Sequence, residues 1–139
     1  MQRTEILAEF DRHDILPTPQ RLEVASILLE RPQHLSADQI IDRLREKGSG
    51  VSKATVYNSL KLFGARGLVK ECVVDPERLF YDSTTEPHHH FYNMDTGELT
   101  DIPLPSIQVT GLPELPEDFH LDSIEVVVKG RGAPSKDLA

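Results

Sequence analysis

Ser52-Lys53-Ala54-Thr55-Val56-Tyr57-Asn58-Ser59-Leu60-Lys61-Leu62-Phe63, followed after Gly67 by Leu68-Val69-Lys70-Glu71-Cys72-Val73-Val74, is the stretch whose reading decides the fold. The first part is helical in its spacing. Ser52 stands as N-cap, Val51 before it staples to Val56, and Val56, Leu60 and Phe63 fall together on one face. Ala54, Asn58, Lys61 and Ala65 fall opposite, with Lys53 and Tyr57 on one shoulder and Thr55 on the other. Small, amide, hydroxyl and lysine groups on an exposed face can enter a major groove without steric conflict and still offer donors to bases and phosphates. The plain alternative is a solvated helix face. In the second part the period changes to alternation, and Leu79-Phe80-Tyr81-Asp82 returns after a turn at Asp75-Pro76-Glu77-Arg78, where proline presets its φ. A helix and then a hairpin result.

Working back from this stretch, three shorter helices are expected. Ile6, Leu7 and Phe10 give residues 3–13 an apolar stripe, with His13 at the C-terminal end. Thr18-Pro19 starts a second helix as N-cap and first residue, carrying Leu22, Ala25, Leu28 and Leu29 to a stop at Arg31-Pro32. Ser36 and Gln39 form a capping box with Leu35 stapled to Ile40. The third helix then buries Ala37, Ile40, Ile41 and Leu44 and ends at Gly48. His34 is placed in the loop before it. Short helices followed by a hairpin describe a winged helix-turn-helix, with the helix from Ser52 as recognition helix and Lys70 and Arg78 as wing contacts to phosphate. Within that frame Arg21, Lys53, Lys61 and Lys70 are phosphate candidates, Thr55 and Tyr57 can meet thymine methyls, and Asn58 can pair with adenine.

Beyond the hairpin the chain turns β-rich and proline-rich. His88–Asn93 and Glu98–Ile102 read as strands across a turn at Asp95-Thr96-Gly97, and Leu121–Lys129 as a β-branched strand. Four prolines between Pro103 and Pro116 call for an irregular connection with at most a short helix. So small a sheet is marginal alone and should pair with its copy, which would also present two recognition helices to two half-sites. The fold class is therefore α+β, an N-terminal winged helix-turn-helix followed by a small α/β dimerisation domain. The expected boundaries are 1–82 for DNA binding, 83–87 for a hinge, 88–130 for dimerisation and metal sensing, and 131–139 for a flexible tail.

Charge is divided along the same line. The net charge of −8 would argue against nucleic acid, yet residues 1–82 carry 12 Lys+Arg against 13 Asp+Glu while residues 83–139 carry 3 against 10. An acidic second half suits cations. The single cysteine, Cys72, rules out an intramolecular disulfide and a four-cysteine structural zinc site within one chain. With no apolar run long enough for a bilayer and no leader-like start, a cytoplasmic protein without membrane contact is expected.

The densest group of potential metal ligands is His88-His89-His90, with Asp82 before it and Asp101 after it. On a strand His88 and His90 share one face and His89 takes the other, so His-x-His makes a two-ligand edge. Alone, the triplet could equally be solvated surface.

Thr18-Pro-Gln-Arg21, His34-Leu-Ser-Ala37, Ala54-Thr-Val-Tyr-Asn58, Leu79-Phe-Tyr-Asp82 and His88-His-His90, in this order, resemble the ferric uptake regulator (Fur) family across nearly the whole chain. The wing, His-His-His-Phe-Tyr and Glu-Leu-Thr-Asp-Ile look most like the iron response regulator (Irr) branch, and the ligand register is similar to that of the peroxide-sensing (PerR) branch. The resemblance implies a homodimeric, metal-dependent transcription regulator of iron homeostasis or oxidative-stress genes, acting on a palindromic operator in double-stranded DNA. It implies one regulatory divalent metal per subunit on His34, Asp82, His88, His90 and Asp101. Three imidazoles and two carboxylates suit Fe²⁺ or Mn²⁺ and also accept Zn²⁺. His34 and Asp82 would then couple the DNA-binding domain to ligands in the other.

The chain departs from the family pattern in lacking the two C-x-x-C pairs, of which one would lie near Asn93 and Thr96 and the other near the C-terminus. Pro87 and Ile124 also stand where a further site has histidines. In the Irr branch the triplet is associated with haem, which makes His88, His89 and His90 the alternative haem site, although Cys72 is followed by Val73 and no Cys-Pro dipeptide occurs. A mononuclear non-haem metalloenzyme is the other alternative. It would leave the wing and recognition helix without purpose, so no enzyme activity is expected.

Overall fold

The computed structural model describes residues 1–133, so residues 134–139 of the expected tail lie outside the described residues. The chain divides into two compact units, the first ending at Thr85 and the second beginning at Glu86. The first unit runs α1 (Arg3–Arg12), α2 (Pro19–Leu28), β1 (His34–Ser36), α3 (Ala37–Glu46), α4 (Lys53–Ala65), β2 (Lys70–Asp75) and β3 (Arg78–Asp82).

The helix starts follow from side-chain oxygens that accept otherwise unpaired first-turn N–H groups. Thr18 accepts from Arg21 N, Ser36 from Gln39 N and Ser52 from Thr55 N, each at 3.2 Å. Gln39 returns the favour by accepting from Ser36 N at 2.9 Å, which completes the capping box of α3. The stops are built alike. Behind α3, Gly48 N bonds Arg45 O and Ser49 N bonds Leu44 O; behind α4, Gly67 N bonds Gly64 O and Leu68 N bonds Phe63 O. These Schellman closures need a left-handed residue, and Gly48 and Gly67 take φ of 78° and 77°. After α1 the same role falls to Asp14 at φ 56°, a residue type that tolerates this region.

The helices enclose one apolar core. Phe10 and Phe63 meet at a centroid distance of 5.5 Å among Val24, Ile27, Leu28, Ile40, Val56 and Leu60. The apolar faces of α3 and α4 are the expected ones, except that Ser59 is buried beside Leu60.

A three-stranded sheet of order β1-β3-β2 closes the unit. β2 and β3 form the expected antiparallel hairpin, its two-residue loop being Pro76-Glu77, with a bulge between Val73 and Asp75 that twists the tip. His34 is where the expectation fails. It does not sit in a loop but opens β1, whose residues pair antiparallel with β3 as His34↔Asp82, Leu35↔Tyr81 and Ser36↔Phe80. The reason is edge pairing: β3 offers its second edge, and burying Leu35 at 5% exposure there satisfies both backbone and side chain.

The second unit has β4 (His89–Asn93), β5 (Leu99–Ile102), a 3-10 turn at Leu104–Ser106 and β6 (Val127–Gly130), in the sheet order β5-β4-β6. β5 is antiparallel to β4 and β6 is parallel to it. The helical component of this small domain is that single 3-10 turn among the described residues. The strand expected over 121–129 is shortened to Val127–Gly130. β6 has partners only along His90–Asn93, and a β-branched run with no neighbouring strand has no ladder to join.

One clasp ties the two ends of this sheet. Asn93 Oδ1 accepts from Asp95 N and Thr96 N in the β4–β5 turn, while its Nδ2 donates to Gly132 O at 3.2 Å. Asp95 in turn accepts from Gly132 N at 3.0 Å and faces Arg131 at 3.3 Å.

Gly48→Ala isolates the backbone cost of a helix stop, because a Cβ there would meet nothing within 4 Å. Urea unfolding should show a loss of roughly 1–2 kcal/mol, the usual penalty for a left-handed alanine.

Candidate metal centre and nucleic-acid surface

In the second unit the register places His90 directly across from Asp101, so imidazole and carboxylate rise from neighbouring strands. His88 lies one residue before β4 and two before His90, and the two rings stand 4.4 Å apart between centroids at 58°. His88 Nε2 is 3.2 Å and His90 Nε2 3.6 Å from the same Asp101 Oδ1. Both imidazoles are buried; the Asp101 side chain is 52% exposed.

Backbone contact sets one tautomer. His88 Nδ1 lies 2.7 Å from Glu86 O, and a carbonyl only accepts, so Nδ1 carries a proton and Nε2 is the nitrogen turned toward Asp101. Two imidazole nitrogens and one carboxylate oxygen, all within 4.8 Å of one another, could hold a divalent cation, and a histidine with its second nitrogen held by a carbonyl has the usual form of a ligating imidazole.

In the first unit β1 and β3 bring His34 and Asp82 opposite one another. Asp82 is 1% exposed, and its Oδ1 accepts from Thr84 N at 2.9 Å. The His34 ring meets Phe80 edge-on, with centroids 6.3 Å apart.

His89 points away from its two neighbours, as strand alternation requires. Its Nδ1 accepts from Val126 N at 2.9 Å, which fixes the chain entering β6, and it lines an apolar recess with Leu104, Ile107, Val109 and Leu121. The triplet is thus split between two faces of the strand. Nothing in the sequence signalled that His89 would carry a structural bond, since its partner is a backbone amide 37 residues away.

On α4 the expected reading face is exposed at Lys53, Ala54, Tyr57, Asn58 and Lys61, with Thr55 half-buried beside the Ser52 hydroxyl that donates to it at 2.9 Å. Arg21 is half-buried and its guanidinium donates to Leu16 O at 2.7 Å. Lys70 lies at the root of the wing, across from Asp82, whereas exposed Arg78 lies beside the Pro76-Glu77 turn. Sequence reasoning missed Asp38, on which the Tyr57 hydroxyl donates a 3.3 Å bond from 19 residues away. Partial desolvation, then the Asp38 charge and this bond, raise the Tyr57 pKa above 10.0.

Winged helix, reading helix and a histidine–carboxylate donor set define a metal-binding protein of the DNA-binding class. The sequence profile described as the Ferric uptake regulator family matches residues 2–129. The chain belongs to the ferric uptake regulator family, and with it is a metal-responsive transcription regulator and not an enzyme. It is 28% identical over 127 residues to the peroxide-responsive repressor PerR of Staphylococcus epidermidis, covering 91% of this chain and 85% of that repressor. Among solved structures, the ferric uptake regulator from Pseudomonas aeruginosa with manganese superimposes with a TM-score of 0.70 at 25% identity, covering 92% of this chain and 98% of that one. The ferric uptake regulator from Francisella tularensis with iron gives 0.69 at 20% identity, over 85% and 92%, and shows the shared fold. No helix among the described residues is long and apolar enough to cross a membrane.

Two outcomes follow from these local bonds. His89→Phe removes the acceptor of Val126 N–H and should cost about 1–2 kcal/mol in urea unfolding, with the stoichiometry of bound metal unchanged. Asp38→Asn removes a charge that disfavours phenolate, so the Tyr57 hydroxyl should ionise at lower pH in an ultraviolet titration, part of the way back to 10.0.

Proposed function

We propose that the protein is a homodimeric regulator that binds a palindromic double-stranded DNA operator under control of one divalent ion per subunit, Fe²⁺ or Mn²⁺ in the cell, and governs iron-homeostasis or oxidative-stress genes. The observation that carries this reading is the convergence of His88 and His90 Nε2 on one Asp101 oxygen. The ion would be held by these three together with His34 and Asp82. Bound there, it supplies positive charge that neutralises the two carboxylates. The extents are 1–82 for DNA binding, 83–87 for the hinge and 88–130 for sensing and dimerisation.

The chain's own residues would do the rest. His34 and Asp82, fixed on paired strands, belong to the unit that carries α4, while His88, His90 and Asp101 belong to the other. A ligand shared by the two sets has different affinity for arrangements that bring them together and arrangements that do not, so it shifts the population of DNA-binding geometries. A nitrogen and oxygen donor set without thiolate favours Fe²⁺ or Mn²⁺ by ligand type, with Zn²⁺ higher in raw affinity. The ferric uptake regulator solved with manganese supports that choice. The split triplet favours a divalent ion over haem, because His89 is engaged on the opposite face.

On the DNA side, Lys53, Tyr57, Asn58 and Lys61 present the exposed face of α4, with Arg21, Thr55 and Lys70 as the remaining contact candidates. Substituting Lys61 by Ala should weaken all sequences alike and lower the salt slope, whereas Tyr57→Ala should change sequence preference.

The central test is His88→Ala combined with His90→Ala. Metal analysis of protein purified without oxygen should fall from one ion per subunit to none, and DNA binding should lose its dependence on added Mn²⁺ or Fe²⁺. Unchanged metal content and unchanged metal dependence would sink the proposal.

A further inference from the structure

An acid beside the surface that must meet phosphates calls for an explanation, because like charge opposes binding there. Asp38 is such an acid. It stands at the second position of α3, and its Oδ1 accepts from the hydroxyl of Tyr57, which is 47% exposed on the reading face of α4. The two residues line a groove of about 390 Å³ together with Ser36, Glu77, Arg78 and Tyr81, so the pair lies where α3, α4 and the turn of the wing come together.

Resting on the DNA-binding reading above, we infer that Asp38 is a positioning residue for sequence recognition, holding the Tyr57 ring in one setting at the edge of α4 before DNA arrives. A half-exposed tyrosine without a partner for its hydroxyl samples several rotamers, and ordering it on binding reduces affinity for matched DNA. Tethering the hydroxyl removes part of that cost in advance. It does so only for contacts made in the tethered setting, so the gain falls on matched sequences and not on DNA in general. At 3.3 Å the bond is long for O–H···O, so the expected effect is that of one modest hydrogen bond.

Asp38 has a competing explanation as an acid in the first turn of α3, where it complements the helix dipole. That role concerns stability alone. The two separate in a double-mutant cycle on the full-length, Mn²⁺-loaded protein, using a duplex selected by the wild type from a random-core library and a scrambled duplex of equal length. Asp38→Ala, Tyr57→Phe and the double variant should each lower the ratio of selected to scrambled affinity by about fivefold, as expected for one modest hydrogen bond. The double variant should be no worse than either single one, and scrambled-duplex affinity should not fall. Additive losses in the cycle, or an unchanged ratio for Asp38→Ala beside a lowered one for Tyr57→Phe, overturns the inference. Tyr57→Ala removes the ring itself. If even that variant leaves the ratio unchanged, the reading of α4 fails and not only the role of Asp38. Thermal unfolding of Asp38→Ala reports the dipole contribution, and a fall in unfolding temperature with no change in the ratio assigns the residue to stability and overturns the positioning role.

Discussion

Pairing of β3 along both edges is the constraint on which the chemistry of the first unit depends. β1 on one side and β2 on the other set His34, Asp82 and Lys70 in one row across the sheet. Residues directly opposite in antiparallel strands sit on the same face with Cβ atoms about 5 Å apart. The row therefore joins both arms of the hairpin to His34, from a distant part of the chain. A slip of one residue would turn its strand's side chain to the other face. The buried neighbouring pair Leu35 and Tyr81 prevents it, since a slip would expose both. The bulge between Val73 and Asp75 lies at the other end of the hairpin. The wing tip can thus twist while the row at its root keeps its register.

The same device acts in the second unit with different partners. His90 and Asp101 are opposite because β4 and β5 are in register, and Tyr92 and Leu99, also opposite and both buried, resist a slip. The parallel neighbour β6 is fixed at its entrance by the His89 imidazole and by the bond from His90 N to Val126 O. Successive histidines on one short strand therefore divide the work. His90 faces the carboxylate and His89 anchors the strand that covers the other edge.

What could be read from the sequence follows from the range of the interaction responsible. Caps and stops act over three or four residues, so Thr18, Ser36, Ser52 and Gly48 were legible as they stand, and the apolar faces of α3 and α4 followed from their spacing. The change of period after Gly67 gave the hairpin. β1 was not legible, because three residues are too few to show alternation and its pairing depends on an edge 46 residues further along. β6 was overextended for the converse reason: Leu121–Glu125 was read as strand from its composition, but the ladder with β4 starts only at Val127. Of the candidate ligands, the alternation at His88–His90 was predictable from strand geometry, and the second nitrogen of His88, held by Glu86 O, was not. The Asp38–Tyr57 bond joins two helices and has no local signature.

The departure from the family pattern near Asn93 and Thr96 also has a physical counterpart. Where paired cysteines would let zinc join the β4–β5 turn to the C-terminal segment, this chain has Asn93 and Asp95 reaching Gly132 and Arg131. The connection is topologically similar but energetically different. Each such bond contributes about 1 kcal/mol net, and the exposed ion pair less, whereas a structural zinc site contributes on the order of 10 kcal/mol in small domains. The clasp consequently holds the turn without fixing it as tightly. It also carries no dependence on zinc supply or thiol redox state.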